Sequence, residues 1–326
     1  MSEIITEPIE PFGLSFKHKK KSLFSKIGVV GAGKEGRNII RLTSTAGLDV
    51  TFIEISQERI DFCFRRLNVG LDQRIENWGL TPAEKRTILG RIKGSVDYDD
   101  LKDCDFVIEC IRYDNEKGRD TQLRKKAFEQ IEQVVSPDAI IATNATTVVI
   151  SELASGLKYK ERCVSLHFPI AHPDAKLLEI VKGAYTSEEV YNKVVRFAKL
   201  IKYESIDVRE SNGLVSMRLI VVLLNEACQM VMENIAKVED INQLMIVDYG
   251  MRLGIFQVAD IIGIEKLVDL MEDMFDEYGD KKYKPSPIIW RLFRTKQLGM
   301  HTGRGFFIYK NDKIIATNPA FINKSV

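Results

Sequence analysis

The segment Gly31-Ala32-Gly33-Lys34-Glu35-Gly36 follows an apolar run, Ile27-Gly28-Val29-Val30, and runs into Arg37-Asn38-Ile39-Ile40. A G-x-G-x-x-G sequence between a predicted strand and a predicted helix constrains the fold more than any other feature of the chain, because it is a turn built for phosphate. Gly31 permits the tight turn, and Gly33 leaves the backbone open to a pyrophosphate. Gly36 lets the helix sit close on the strand with its free N–H groups facing the anion. Ala32, Lys34 and Glu35 complete the loop around it. A second apolar stretch, from Asp49, ends in Glu54, a carboxylate 18 residues beyond Gly36 and close to where a ribose-holding acid stands in such units. Glu54 accepts hydrogen bonds from ribose hydroxyls and repels a 2′-phosphate, and the nearest following cation is Arg59. The expected cofactor is NAD rather than NADP.

Short apolar segments alternate with helical ones through the first two thirds of the chain, at 27–30, 50–54, 105–111, 139–143, 163–168 and 206–208. This alternation predicts an α/β fold with a Rossmann-like, mostly parallel sheet. Between Gln57 and Gly94 the pattern is helical. There Thr81 is a predicted N-cap, Pro82 a first helical residue and Glu84 the reciprocal acid of a capping box, so the segment reads as a helical hairpin inserted into the sheet domain. From Gly213 onward the strand signal disappears. Apolar-periodic stretches follow at 214–236, 240–249, 264–278 and 287–298, with Gly250, Gly263, Gly279 and Gly299 placed as C-terminal caps. The predicted organisation is an N-terminal arm (1–24), an NAD-binding Rossmann domain (25–209) and an all-α C-terminal domain (210–326) for substrate binding and dimerisation.

At 326 residues the chain is long enough for two sizeable cores. A net charge of +1 argues against a nucleic-acid partner, and the basic run Lys17-His18-Lys19-Lys20-Lys21 reads as a solvated arm. Cys63, Cys104, Cys110, Cys163 and Cys228 form no C-x-x-C pair, and no metal-ligand spacing is present. Free thiols inside apolar segments behave as small hydrophobes and fit a reducing cytoplasm. The first 24 residues carry Glu3, Glu7 and Glu10 without an apolar h-region, unlike a secretory or transit peptide. The longest fully apolar run, Leu219 to Leu224, falls short of the about 20 residues that cross a bilayer, so no membrane partner is expected.

His167 ends the predicted strand Cys163-Val164-Ser165-Leu166-His167-Phe168, at the edge where active sites of open α/β sheets gather. Twelve residues on, Glu179 sits among apolar neighbours, where an unpaired carboxylate is costly to bury and therefore needs a partner. An imidazole oriented and made more basic by a carboxylate is the usual construction of a general base that works near neutral pH.

These residues carry a family resemblance over 25–310: the chain resembles the 3-hydroxyacyl-CoA dehydrogenases. The match comprises Gly31 to Gly36, Val107-Ile108-Glu109, Thr143-Asn144-Ala145-Thr146-Thr147 in place of the family's S-N-T-S-S, His167-Phe168, Lys176-Leu177-Leu178-Glu179 and Thr302-Gly303-Arg304-Gly305-Phe306. The resemblance implies reversible hydride transfer between NAD and carbon 3 of a 3-hydroxyacyl-CoA or related 3-hydroxy acid, in fatty-acid metabolism, by a homodimer. It assigns His167 as the base, Glu179 as the residue that orients it, and Thr146 to the place of a serine hydroxyl that bonds the reacting oxygen.

The chain departs from the family at several positions. The family's G-F-I-V-N-R is Gly213-Leu214-Val215-Ser216-Met217-Arg218, which puts Met217, a thioether without a hydrogen to donate, at the position of the substrate-polarising Asn. H-F-F-N-P becomes His167-Phe168-Pro169-Ile170-Ala171, with His172 next. The acid of V-E-N is Tyr113, an insertion lies near 116–122, and the lysine of the closing K-T-G-x-G is His301. Arg65, Arg66 and Arg74 are the candidates for CoA phosphate contacts. The departures keep open an alternative, a catalytically weak or inactive NAD-binding homologue with a sensor or assembly role.

Overall fold

Strand β1 (Lys26–Val30) is buried from its second residue onward, and it takes a central place because it has parallel partners on both sides. The structure, a computed structural model, describes residues 23–77, 79–111, 121–169 and 176–321. Seven further strands complete one sheet: β2 (Asp49–Ile53), β3 (Ile92–Ser95), β4 (Phe106–Glu109), β5 (Ile140–Thr143), β6 (Cys163–His167), β7 (Leu177–Lys182) and β8 (Glu204–Arg209). Their order is β3-β2-β1-β4-β5-β6-β7-β8, and β6–β7 is the antiparallel pairing. Helices α1 (Lys34–Thr45), α2 (Gln57–Glu76), α3 (Pro82–Gly90), α4 (Thr121–Val134), α5 (Ile150–Ala154) and α6 (Glu188–Leu200) accompany the sheet. Two apolar clusters, one with Phe52, Phe106 and Phe197 and one with Phe128 and Ile141, bury its residues. Burial on both faces is why β1, β4 and β5 read as continuous apolar runs.

The capping box forms as expected. The Thr81 hydroxyl accepts from the Glu84 N–H, and the Glu84 carboxylate accepts from the Thr81 N–H at 2.8 Å. Two strands lie where none was expected. β3 closes the segment read as wholly helical, and Gly94 hides it from sequence patterning. A side chain at Gly94 would meet Ile60 Cγ2 at 2.5 Å and Phe52 Cζ at 2.7 Å, so α2 and β2 demand glycine in this edge strand. β7 carries Glu179 within an apolar run too short to separate strand from buried helix by period alone.

The C-terminal half is built from α7 (Leu214–Met232), α8 (Val238–Val247), α9 (Ile255–Ile262), α10 (Ile264–Tyr278) and α11 (Pro287–Arg294) around a second core. α9 adds to the helices read from sequence. A hairpin of β9 (Phe307–Lys310) and β10 (Lys313–Thr317) is a further addition to this helical domain. Its turn, Asn311-Asp312, takes φ of 51° and 60°, the left-handed pair that suits strand twist. Gly279 ends α10 in the left-handed conformation as expected. Gly299 is not a helix cap: α11 ends at Arg294, and a Cβ at Gly299 would lie 2.3 Å from the Asp260 carbonyl oxygen.

Candidate active site

β1, β4, β5 and β6 are parallel, so their C-terminal ends share one edge of the sheet, and Gly31, Glu109, Thr143 and His167 stand along it. The glycine turn has the geometry a pyrophosphate needs. Gly31 takes φ +90° and donates its N–H to the Ile53 carbonyl at 2.9 Å. A Cβ on Gly36 would sit 2.0 Å from the Gly31 oxygen, which forces α1 close to β1, whereas at Gly33 a Cβ would meet nothing within 4 Å. The open face at Gly33 is where a ligand's phosphates could approach the N–H groups of the first turn of α1. Glu54 Oε1 accepts from the Ala32 N–H at 2.8 Å, so the acid expected to hold a ribose lies against the turn itself. Arg37, half-buried over the Phe62 ring, shares this region electrostatically with Glu54, Arg59 and Arg66. The linear sequence had shown only Arg59.

His167 and Glu179 are register partners across the antiparallel β6–β7 pair, which puts both side chains on one face of the sheet. His167 Nδ1 lies 2.5 Å from Glu179 Oε2, with the two residues 4% and 1% exposed. The other carboxylate oxygen accepts from the Val215 and Ser216 N–H groups at 3.2 and 3.0 Å, in the first turn of α7. The Ser216 hydroxyl donates to Oε2 at 2.8 Å and lies 3.3 Å from His167 Nδ1. Burial alone raises the Glu179 carboxyl, but the His167 hydrogen bond and charge together with the two Ser216 donors outweigh it and hold the group below its ordinary value. Glu179 is therefore an ionised acceptor for Nδ1–H, which leaves Nε2 as the ring nitrogen able to take a proton.

One cleft joins these parts. It is lined by Gly33, Lys34 and Glu35 from the turn, Asn144 and Thr146 after β5, and His167, and it is closed on the far side by Lys266, Asp269 and Asp273 of α10. Thr146 shares the cleft with His167, as expected. Its carbonyl accepts from the Gly213 N–H at 2.8 Å, and the Thr147 hydroxyl bonds Asp273 at 2.7 Å, so this loop ties the sheet domain to the helical one. Glu35 pairs with Lys266 at 3.3 Å across the same boundary. Asn144 Oδ1 is buried without a hydrogen-bond partner, a polar atom that suits a ligand in the cleft. Behind the cleft, Glu109 is fully buried and accepts from Arg124, from the Thr143 hydroxyl and from the Ile111 N–H at 2.6 Å.

Met217 is 5% exposed in the core of the helical domain and is absent from the cleft lining. On the first turn of α7 the polar side chain that reaches His167 and Glu179 is that of Ser216, one residue before Met217. Sequence reading passed over Ser216 because its partners are 37 and 49 residues away. Ile170, His172, Tyr113 and the basic run at 17–21 lie outside the described residues. Arg65, Arg66 and Arg74 are exposed on α2. His301 pairs with Glu265 at 3.2 Å on the surface. The motif that follows it wraps a buried acid: Asp260 accepts from the Phe306 N–H at 2.9 Å, the Phe307 N–H at 3.0 Å and the Tyr309 hydroxyl at 3.0 Å. A Cβ at Gly305 would fall 1.9 Å from its Oδ1. No group of three or more acidic, His or Cys side chains able to hold a metal ion occurs among the described residues.

Residues 26–211 match the NAD-binding domain model of 3-hydroxyacyl-CoA dehydrogenase, and residues 213–309 match the C-terminal domain model of the same enzyme. A 3-hydroxybutyryl-CoA dehydrogenase of Clostridioides difficile is 30% identical over 87% of this chain and 99% of its own length. A probable 3-hydroxybutyryl-CoA dehydrogenase of Deinococcus radiodurans is 32% identical over 87% of this chain and 100% of its own. The crystal structure of (S)-3-hydroxybutyryl-CoA dehydrogenase from Ralstonia eutropha superposes with a TM-score of 0.78 at 31% identity, covering 88% of this chain and 100% of that one.

Proposed function

The chain belongs to the 3-hydroxyacyl-CoA dehydrogenase family of NAD-dependent oxidoreductases, and on that premise we propose that it oxidises short 3-hydroxyacyl-CoA thioesters such as 3-hydroxybutyryl-CoA, reversibly, with His167 as the base. The observation that carries this reading is the buried His167–Glu179 pair, which opens onto the same cleft as the glycine turn. NAD, when bound, supplies the hydride acceptor. Gly31, Gly33, Gly36 and the first turn of α1 would hold its phosphates, and Glu54 would hold its adenine ribose. His167 Nε2 takes the hydroxyl proton of the substrate while Glu179 fixes Nδ1–H and balances the charge that forms on the ring. The Thr146 hydroxyl bonds the same substrate oxygen, and α10 shields the cleft from water on the side opposite the sheet.

The wild-type protein is expected to oxidise NADH in the presence of acetoacetyl-CoA, and His167→Ala should lower kcat by ~10²- to 10⁴-fold with little change in NADH affinity. Retention of wild-type turnover by His167→Ala would remove the base assignment.

The active form is a homodimer on this reading. Val215, Leu219, Val222 and Leu223 form one exposed apolar stripe on α7 at helical spacing, with Ile235, Leu244, Val247 and Tyr249 also exposed nearby in sequence. α7 as a whole has the length and hydropathy of a membrane span, more than its longest apolar run had implied. Its opposite face, with Val221, Leu224, Ala227 and Cys228 fully buried, belongs to the helical core, which favours a second protein surface over lipid. The five cysteines are buried free thiols, in keeping with a cytoplasmic location.

A further inference from the structure

Glu179 holds more than the imidazole. Gly213, at the N-cap of α7, has no side chain to offer the helix, and the first-turn N–H groups of Val215 and Ser216 go instead to Glu179 Oε1, across the domain boundary. Oε2 is shared by two donors, His167 Nδ1 and the Ser216 hydroxyl. Ser216 is the one side chain among the described residues, outside the pair itself, that lies within hydrogen-bond reach of both members.

We infer that Ser216 is a positioning residue that sets the basicity of His167 by competing with the ring for Glu179 Oε2. A hydroxyl that donates to the oxygen accepting Nδ1–H withdraws charge from it, so the ring loses part of the stabilisation that its protonated form draws from Glu179. The hydroxyl oxygen also faces Nδ1, but at 3.3 Å against 2.8 Å for its bond to Oε2, so the competition is the stronger effect. The helical domain thereby adjusts the base in the sheet domain, and the adjustment exists only when α7 is docked on β7.

The ring also feels the charges that line its cleft: Lys34 and Glu35 from the glycine turn, Arg124 from α4, and Lys266, Asp269 and Asp273 from α10. β6 and β7 contribute no further titratable group to the cleft among the described residues, and the one α7 side chain among them that reaches the pair is that of Ser216. These charges are common to wild type and Ser216 variants, so a difference between the two isolates the hydroxyl.

The inference rests on His167 being the base, and the test separates the two. The His167 ring is titrated by NMR in the full chain without substrate, its signal assigned by loss in His167→Ala, and the acid limb of kcat/KM is followed in parallel. Ser216→Ala should raise the ring midpoint by about half a unit to one unit, the share of one charge-assisted hydrogen bond that reaches the ring, and move the acid limb with it. Ser216→Thr keeps the hydroxyl and should titrate as wild type, whereas Ser216→Val, equal to Thr in shape, should titrate as Ser216→Ala. The Thr and Val pair decides the matter if the Ala variant misfolds. A midpoint that is unchanged or lower in Ser216→Ala, or identical in the Thr and Val variants, overturns the role of Ser216. Absence of wild-type turnover overturns the dehydrogenase reading instead, and the ring titration still decides for or against Ser216.

Discussion

Replacing Glu179 by Gln changes one oxygen for one NH₂ in the hydrogen-bonded site that joins His167 to α7. The carboxylate accepts from the Val215 and Ser216 N–H groups on Oε1, and from the Ser216 hydroxyl and His167 on Oε2. A Gln amide has a single acceptor oxygen. If that oxygen turns to His167, the NH₂ faces two backbone donors, and each buried donor left without an acceptor costs about 1–3 kcal/mol. The amide therefore keeps its oxygen on α7 and presents NH₂ to His167. Nδ1 must then accept, the ring proton moves to Nε2, and the nitrogen that should take the substrate proton already carries one. An amide in place of the carboxylate that sets an imidazole tautomer costs on the order of 10⁴ in kcat in serine proteases, and a loss of ~10³- to 10⁴-fold is expected here. NADH oxidation with acetoacetyl-CoA reads the loss, ¹⁵N NMR of the His167 ring reads the tautomer, and NADH affinity should stay near wild type. A variant within ten-fold of wild-type kcat, or one whose ring keeps its proton on Nδ1, would refute this account of the pair.

Glu54→Ala should weaken NAD binding by about 10- to 100-fold, the worth of one hydrogen bond to a charged acceptor, and narrow the preference over NADP. Dissociation constants for both dinucleotides at one salt concentration check it, and wild-type binding equal for the two would contradict the ribose assignment. Burial pushes the Asp260 carboxyl up to about 7 against the pull of its three donors. Because the folded value lies above the unfolded one, the stability that Asp260 contributes is complete below about pH 4 and is lost as pH rises through about 7. Asp260→Asn should flatten the fall in Tm over that window, and Asp260→Ala should lower Tm at every pH, since each orphaned donor costs on the order of 1–3 kcal/mol. Melting curves from pH 4 to 8 distinguish these outcomes from a residue of no consequence. Leu219→Lys should convert a dimer to monomer in sedimentation equilibrium, and an unaltered mass would place the interface elsewhere.

The parts legible from sequence are those with short-range causes. The glycine turn announces itself because strand, loop and helix are consecutive and each glycine answers a local steric demand, with φ +90° at Gly31 and a 2.0 Å clash at Gly36. The capping box at Thr81 and Glu84 and the left-handed cap at Gly279 belong to the same class. His167 and Glu179 were nameable as types in context, but their contact depends on β6 and β7 being antiparallel in a sheet whose other pairings are parallel. Short apolar runs do not encode strand direction, and β3 escaped notice because Gly94 answers to Phe52 and Ile60 rather than to its own neighbours. Tertiary structure alone decided which polar side chain of α7 meets His167 and Glu179. The family resemblance sets Met217 at the place of an Asn but says nothing of Ser216; a helix turns about 100° per residue, and α7 docked on β7 aims Ser216 at the pair while Met217 packs in the helical core. The wrapping of Asp260 by residues more than forty positions away, and the placing of Arg37 within the fields of Glu54, Arg59 and Arg66, follow from the same cause: a side chain's partners are set by packing once distant elements meet.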